Sequence, residues 1–309
     1  MPCKLESGNQ NEYTEVKAGS RRNEVAMSSL FSGLERFGLT GMKDTEIYEK
    51  EEEKTVEKSV EPKAPHFPEE SEMIFDKTYR CPVCDRQFKS KAVMSGKAKL
   101  VSIDTDLRPK YQGIDCIKYD VVVCDKCGYS ALTRFFNSVT SQQRKAVQEN
   151  ISSNFKAIEY EDEKIYSYDE AVLRYQLALA NAVIKKGRIS ERAYTCLKIA
   201  WLYRGEAENL DMSEVDYDTK LAELRDLEKE FITSAYDGFV SAMSKELFPI
   251  CGMDEYTYTY VTADLARRCK DYETSAKLLS QIITSRGASS KVKERAREVR
   301  DLIKQELMR

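Results

Sequence analysis

Residues 81–84 read Cys81-Pro82-Val83-Cys84, and residues 124–127 read Cys124-Asp125-Lys126-Cys127. Each CxxC pair is typical of a tight turn that directs two thiolates at one metal ion, and two pairs supply the four corners of a tetrahedron. Gly128 follows the second pair, where a residue with positive φ closes the turn. The spacing predicts a four-cysteine site for Zn²⁺, with iron in a rubredoxin-like site as the alternative.

The predicted site favours a structural metal over catalysis. Four thiolates leave no open coordination position, and a redox CxxC pair begins a helix in a βαβ unit, which the flanking sequence does not predict. His66 is the only histidine, which excludes a histidine-based triad. We therefore expect no enzyme. Cys116 lies close to the second pair; a thiol at the end of a strand is the favoured interpretation, and an alternative ligand is the other.

Composition and charge set the class of protein. The 309 residues are 41% hydrophobic, which is enough for a packed core and about two domains. The net charge of −3 argues against a nucleic-acid coat protein. No apolar run approaches the ~20 residues that cross a bilayer, and the first residues lack the apolar core of a signal peptide. With nine cysteines, we expect reduced thiols in the cytoplasm and no membrane partner.

Residues 1–75 are predicted to form a disordered tail, because they are polar and have few apolar side chains. Residues 49–61 form an acidic tract, and three prolines then indicate a stiff linker. A short apolar segment begins at Met27. The sequence leaves open whether Met27 is the native start.

Residues 76–138 predict a small antiparallel sheet of the zinc-ribbon type. Valine, isoleucine and tyrosine recur at a period near two on both sides of the cysteine pairs, as in half-buried strands. In particular, residues 117–123 predict one strand that leads directly into the second pair.

Residues 139–309 predict helical hairpins that resemble tetratricopeptide repeats, with an irregular helical bundle as the alternative. Gly187 is the predicted stop of one helix, and the helices are expected to have a core of their own. The chain is thus predicted to be α+β and mostly α. The predicted N-caps are Thr140, Ser167, Ser190, Asp254, and Ser289 or Ser290.

Asp104, Asp106 and Arg108 form the candidate polar site. Two acids that are two residues apart in a strand point to the same side, with Arg108 near enough to pair with one of them. Such a group can bind a ligand or a basic residue of a partner. The alternative is a loop fixed by local ion pairs and by Pro109.

The helices also offer aromatic side chains for a partner. Tyr203, Tyr236 and Tyr260 are predicted to line the concave face that stacked hairpins form. We therefore expect a scaffold that binds another protein or peptide through its helical domain. A nucleic-acid factor that reads with the ribbon is the alternative, and an enzyme at Asp104, Asp106 and Arg108 is the third hypothesis. The sequence does not define the oligomeric state.

Several stretches together resemble the bacterial family catalogued as domain of unknown function 2225. They include YRCPVC (79–84), DTDLRPKY (104–111), residues 119–131 and IAWLYR (199–204). The resemblance covers residues 75 to 309. It implies a bacterial protein with a cysteine-rich head and a helical tail, and it assigns no activity.

Overall fold

The computed structural model describes residues 68–156, 164–213 and 215–308. By its contacts the chain divides into Met1–Ala64 and Pro65–Arg309, and every described residue lies in the second unit. Most of the predicted tail, including the acidic tract, Met27 and His66, lies outside the described residues. The predicted boundary near residue 138 lies within the second unit.

Among the described residues the strands form three separate antiparallel hairpins. The prediction of one sheet is therefore wrong in this respect, although the antiparallel pairing is confirmed. The pairs are β1 (Ile74–Arg80) with β2 (Gln87–Val93), β3 (Leu100–Ile103) with β4 (Pro109–Tyr111), and β5 (Val121–Val123) with β6 (Ser130–Leu132).

The strand predicted over residues 117–123 is shorter than expected. Cys116–Tyr119 form a 3₁₀ turn, in which the side chain of Asp115 accepts a hydrogen bond from the backbone N–H of Ile117 at 3.0 Å. This local bond competes with strand pairing, so the ladder begins only at Val121. Strand β6 was not predicted, because all its residues are buried and it therefore shows no polar–apolar alternation.

The rest of the described chain is helical, which confirms an α+β protein that is mostly α. From α2 onward each helix packs against the next one along the chain. Within the described ranges no helix is both long and apolar enough to cross a bilayer. The helices are α1 (Ser141–Val147), α2 (Tyr168–Ile184), α3 (Ile189–Glu208), α4 (Tyr217–Lys245), α5 (Glu255–Arg268), α6 (Tyr272–Thr284) and α7 (Ser290–Leu307).

Most predicted helix starts are confirmed by their hydrogen bonds. Thr140 and Gln143 form a capping box at α1. The side chains of Ser167, Asp254 and Ser289 each accept a backbone N–H in the first turn of α2, α5 and α7. These caps are local in sequence, which is why the sequence predicts them.

The turn between α2 and α3 differs from its prediction. Lys186, and not Gly187, has the positive φ of +51° that ends α2. Helix α3 begins at Ile189, so Ser190 lies inside it and is not its N-cap. The carboxylate of Glu246, distant in sequence, accepts the backbone N–H of Ser190 at 2.9 Å and its hydroxyl at 2.6 Å.

One cluster of buried apolar side chains joins the strands to the helices. Ile117, Val121, Val123 and Leu132 belong to the same cluster as buried residues of α2 to α7. Strands β5 and β6 both contact α2. The expectation that the helices have a core of their own is therefore wrong, because the second cysteine hairpin supplies part of it.

Candidate metal centre

Two of the hairpins carry the cysteine pairs on their turns. Cys81 directly follows β1, and its N–H donates to the carbonyl of Arg86 at 3.0 Å. Cys124 directly follows β5, and its N–H donates to the carbonyl of Tyr129 at 2.9 Å. The two turns thus have the same hydrogen-bond pattern, and each presents two sulfur atoms at the end of a hairpin.

The four Sγ atoms lie within 4.8 Å of one another. Across the hairpins, Cys81 Sγ is 3.6 Å from Cys127 Sγ, and Cys84 Sγ is 3.7 Å from Cys124 Sγ. A tetrahedral ion with sulfur ligands at about 2.3 Å separates them by about 3.8 Å. The sulfur atoms therefore have the spacing that a four-coordinate metal needs. Cys116, the alternative ligand, lies outside this group and packs against another cluster with Met73 and Ile74.

The thiols influence one another's ionisation strongly. Hydrogen bonds from Cys124 and then Cys127 lower the pKa of Cys81 to about 4. The interactions of Cys127 with Cys124 and then Cys81 instead raise its pKa. Ionisation of one thiol thus disfavours ionisation of its neighbours, because several negative charges so close together repel one another. A divalent cation removes this conflict and makes all four thiolates compatible.

The residue after each cysteine pair has the left-handed backbone that closes the turn. Asp85 has φ +66° and Gly128 has φ +71°. Aspartate tolerates this conformation better than most residues, and Asp85 is also paired with Arg80 at 2.6 Å. At Gly128 the space is restricted as well, since an added Cβ would lie 2.4 Å from the ring of Phe155.

Side chains from the helical part hold the cysteine turns in place. Gln148 donates to the carbonyl of Val83 at 3.0 Å, Ser152 to that of Cys127 at 2.8 Å, and Asn181 of α2 to that of Gly128 at 3.0 Å. Cys81 and Cys124 are fully buried, and Cys84 is partly exposed. The site is therefore closed, which suits a structural metal better than a catalytic one.

The candidate polar residues lie at the turn of the β3–β4 hairpin and contact the helices. Asp104 and Asp106 follow β3 in this turn, so they are not in a strand as predicted. Asp106 is fully buried; its carboxylate accepts from Trp201 Nε1 at 3.0 Å and from Arg204 at 2.7 and 3.1 Å. Burial alone would raise the pKa of Asp106, but Arg204 and Arg268 hold it below its usual value.

Arg204 of α3 joins three acids. Besides Asp106, its guanidinium donates to Asp104 at 3.1 Å and to Glu228 of α4 at 2.7 Å. Arg108 pairs instead with Glu208 at 2.9 Å, at the end of α3. The sequence predicted that Arg108 pairs locally with an acid; it does approach Asp104 at 3.6 Å, the same distance as its approach to Asp115.

The same turn contacts α5 through residues that the sequence analysis did not identify. Thr105 Oγ1 donates to buried Asp264 at 3.0 Å, and Arg268 donates to Asp264 at 2.8 Å and to Thr105 at 3.0 Å. Asp264 could have been identified from the sequence, because it lies four residues after Tyr260 and so is an acid on the buried face of the helix. We call Asp104, Asp106, Arg204, Glu228, Asp264 and Arg268 the acid–arginine cluster.

The three predicted aromatic residues do not share one surface. Tyr203 is buried and packs against Phe231 with ring centroids 5.8 Å apart. Tyr260 is also buried, and its hydroxyl donates to the carbonyl of Thr105 at 2.6 Å. Tyr236 is half-buried and donates to Asp271 at 2.7 Å. Tyr203 and Tyr260 are thus occupied within the chain, so the prediction that they line a binding face is wrong for these two residues.

Comparison with known proteins identifies one family. The model of the family described as "Uncharacterized protein conserved in bacteria (DUF2225)" matches residues 74–303. This range contains the four cysteines and the acid–arginine cluster. No curated protein and no solved structure matches the chain.

Proposed function

The chain belongs to the DUF2225 family, and we propose that it is a cytoplasmic zinc-binding scaffold that holds a partner protein on its helical part. The observation that carries the proposal is the closed four-thiol site, tied by hydrogen bonds to the helices. Such a site contributes stability and has no position for a substrate. Zinc is the proposed occupant because four thiolates in a tetrahedron are its usual ligands, and iron is the alternative.

The acid–arginine cluster supports a binding function over an enzymatic one. Asp106 and Asp264 are fully buried, and their carboxylates accept hydrogen bonds from arginines of the same chain. A general acid or base must reach a proton on a substrate, and these groups are already occupied. We therefore propose that the cluster fixes the β3–β4 hairpin on the helices.

At the cysteine turns, two basic side chains are neutralised by adjacent acids. At the tips of the cysteine turns, Arg80 is paired with Asp85 at 2.6 Å, and Lys126 with Asp125 at 2.8 Å. Binding to phosphates requires cations that exceed the local acids. We therefore place the partner on the helices and keep nucleic acid as an outcome of the test.

The test is a pull-down from the native cell with the full chain as bait. One variant, Arg86→Glu with Lys126→Glu, reverses two exposed charges of the ribbon. A second, Arg225→Glu with Lys229→Glu, reverses two exposed charges of α4. The proposal expects one protein that the wild type and the ribbon variant recover equally. Recovery of nucleic acid, or loss of the partner only in the ribbon variant, would make the ribbon the recognition surface.

A further inference from the structure

The helical part contains a groove rich in positive charge. Helices α4, α5 and α7, with the start of α6, enclose a cavity of about 590 Å³. Two of the lining residues are acidic, Glu228 and Glu306. Five are basic, in a chain whose net charge is −3. The basic residues are Arg225, Lys229, Arg267, Arg268 and Lys270. We call this cavity the basic groove.

The two acids of the groove already accept hydrogen bonds from arginines of the same chain. Glu306 accepts from Arg267 at 2.5 Å, and Glu228 accepts from Arg204 at 2.7 Å. Arg267 and Arg268 also both donate to Asp264. The inner part of the groove is therefore close to neutral, and its geometry is fixed by buried ion pairs.

The outer cations have no such partners. Arg225, Lys229 and Lys270 are exposed, and none of them forms an ion pair with a described residue. Arg225 and Lys229 are four residues apart on α4 and so lie on one side of that helix. Three like charges around one concave surface repel one another, and a bound anion removes that repulsion.

The arrangement suits separate carboxylates better than one compact phosphate. The cations come from α4 and from the segment that follows α5, so they lie around the groove and each can pair with a separate anionic group. A multivalent phosphate needs several donors that converge on one point. Tyr272, which is half-buried, also lines the groove and offers apolar contact to a peptide between its acids.

From these observations we propose that the basic groove binds an acidic, extended segment of the partner protein. The inference rests on the proposed scaffold function and adds the chemistry of the partner. The carboxylates of the segment pair with Arg225, Lys229 and Lys270, and the side chains between these carboxylates contact Tyr272. Electrostatic pairing of this kind gives specificity for acidic sequences and depends on salt.

The experiment measures binding to the zinc-loaded full chain by fluorescence anisotropy. The probe is a labelled peptide of alternating glutamate and alanine, and its control has glutamine in place of glutamate. The groove variant is Arg225→Glu with Lys229→Glu. The matched control is Lys293→Glu with Arg297→Glu on α7, which has the same spacing and charge change outside the groove. We expect the Kd to rise about tenfold or more in the groove variant only.

Circular dichroism checks that each variant folds, and Lys229→Gln, a milder change, should weaken binding in the same direction. Equal losses in both double variants, equal binding of the glutamine peptide, or no binding of the acidic peptide would overturn the inference. A groove that binds inorganic tripolyphosphate but not the peptide would also overturn it. If the wild type and the groove variant recover the cellular partner equally, the scaffold function stands, and only the inference that the groove binds an acidic segment fails.

Discussion

At the scale of single residues, the cysteines determine whether the chain holds a metal. Replacing Cys84 with serine removes one of four thiolates from a group whose sulfur atoms are all within 4.8 Å. We expect elemental analysis to find one zinc ion per chain in the wild type and none retained by Cys84→Ser. Cys116→Ser is the matched control and should keep its metal, because Cys116 lies outside the group. A Cys84→Ser protein with stoichiometric metal would refute the ligand assignment, and iron in the wild type would refute zinc.

Gly128 occupies a position beside the cysteines where there is no room for a side chain. Gly128→Ala adds a Cβ at φ +71° and within 2.4 Å of Phe155. We expect it to lower the free energy of unfolding by about 2–3 kcal/mol. Gly96→Ala is the control for backbone strain alone, because Gly96 has φ +78° with no atom within 4 Å of the added Cβ. It should cost about 1 kcal/mol. Equal losses in urea denaturation would show that the contact with Phe155 does not matter.

At the scale of elements, the turn of the β3–β4 hairpin depends on Asp106. In Asp106→Asn the guanidinium of Arg204 keeps Asp104 and Glu228 but loses its fully buried carboxylate partner. We therefore expect a loss of about 3 kcal/mol in the free energy of unfolding, the low end of the cost of breaking a buried pair. Asp85→Asn makes the same chemical change at the exposed pair with Arg80 and should leave the melting temperature unchanged. If both variants have the melting temperature of the wild type, other contacts hold the hairpin in place.

The same residue predicts a dependence on pH. The folded pKa of Asp106 is lower than usual, so its contribution to stability is complete above the unfolded pKa of about 3.9 and is lost as the pH falls toward the folded pKa. The difference in unfolding free energy between the wild type and Asp106→Asn should therefore shrink below about pH 4. Denaturant titrations at several pH values measure it, and a difference that grows on acidification would contradict the argument.

The local elements could be predicted from the sequence, because their causes lie within a few residues. The cysteine turns and the caps at Thr140 and Ser167 each depend on short-range chemistry. The start of α3 could not be predicted, since the partner of Ser190 is Glu246, 56 residues later in the chain. The residues that bind Asp104 and Asp106 were missed for the same reason, since no local pattern relates the turn to Arg204 or Arg268.

At the scale of the whole molecule, the metal centre and the helices share their stability. The hairpin that carries Cys124 and Cys127 buries Val121 and Leu132 in the helical core. Asn181 of α2 also donates to the carbonyl of Gly128. We expect that loss of a metal from the four cysteines releases the turns that position this hairpin and removes apolar contacts from the helices. The sequence did not predict this coupling, because strands of three residues carry too little pattern to reveal which element covers them.

We therefore expect metal removal to destabilise the helices as well as the ribbon. In far-UV circular dichroism, where helices dominate the signal, the zinc-loaded chain should unfold in one transition. A chelator should lower its midpoint, because binding energy at such a site is folding energy of about 10 kcal/mol or more in small zinc domains. Cys84→Ser is the control, and the chelator should not shift its midpoint. A helical signal that melts at the same temperature with and without metal would show that the helices have an independent core.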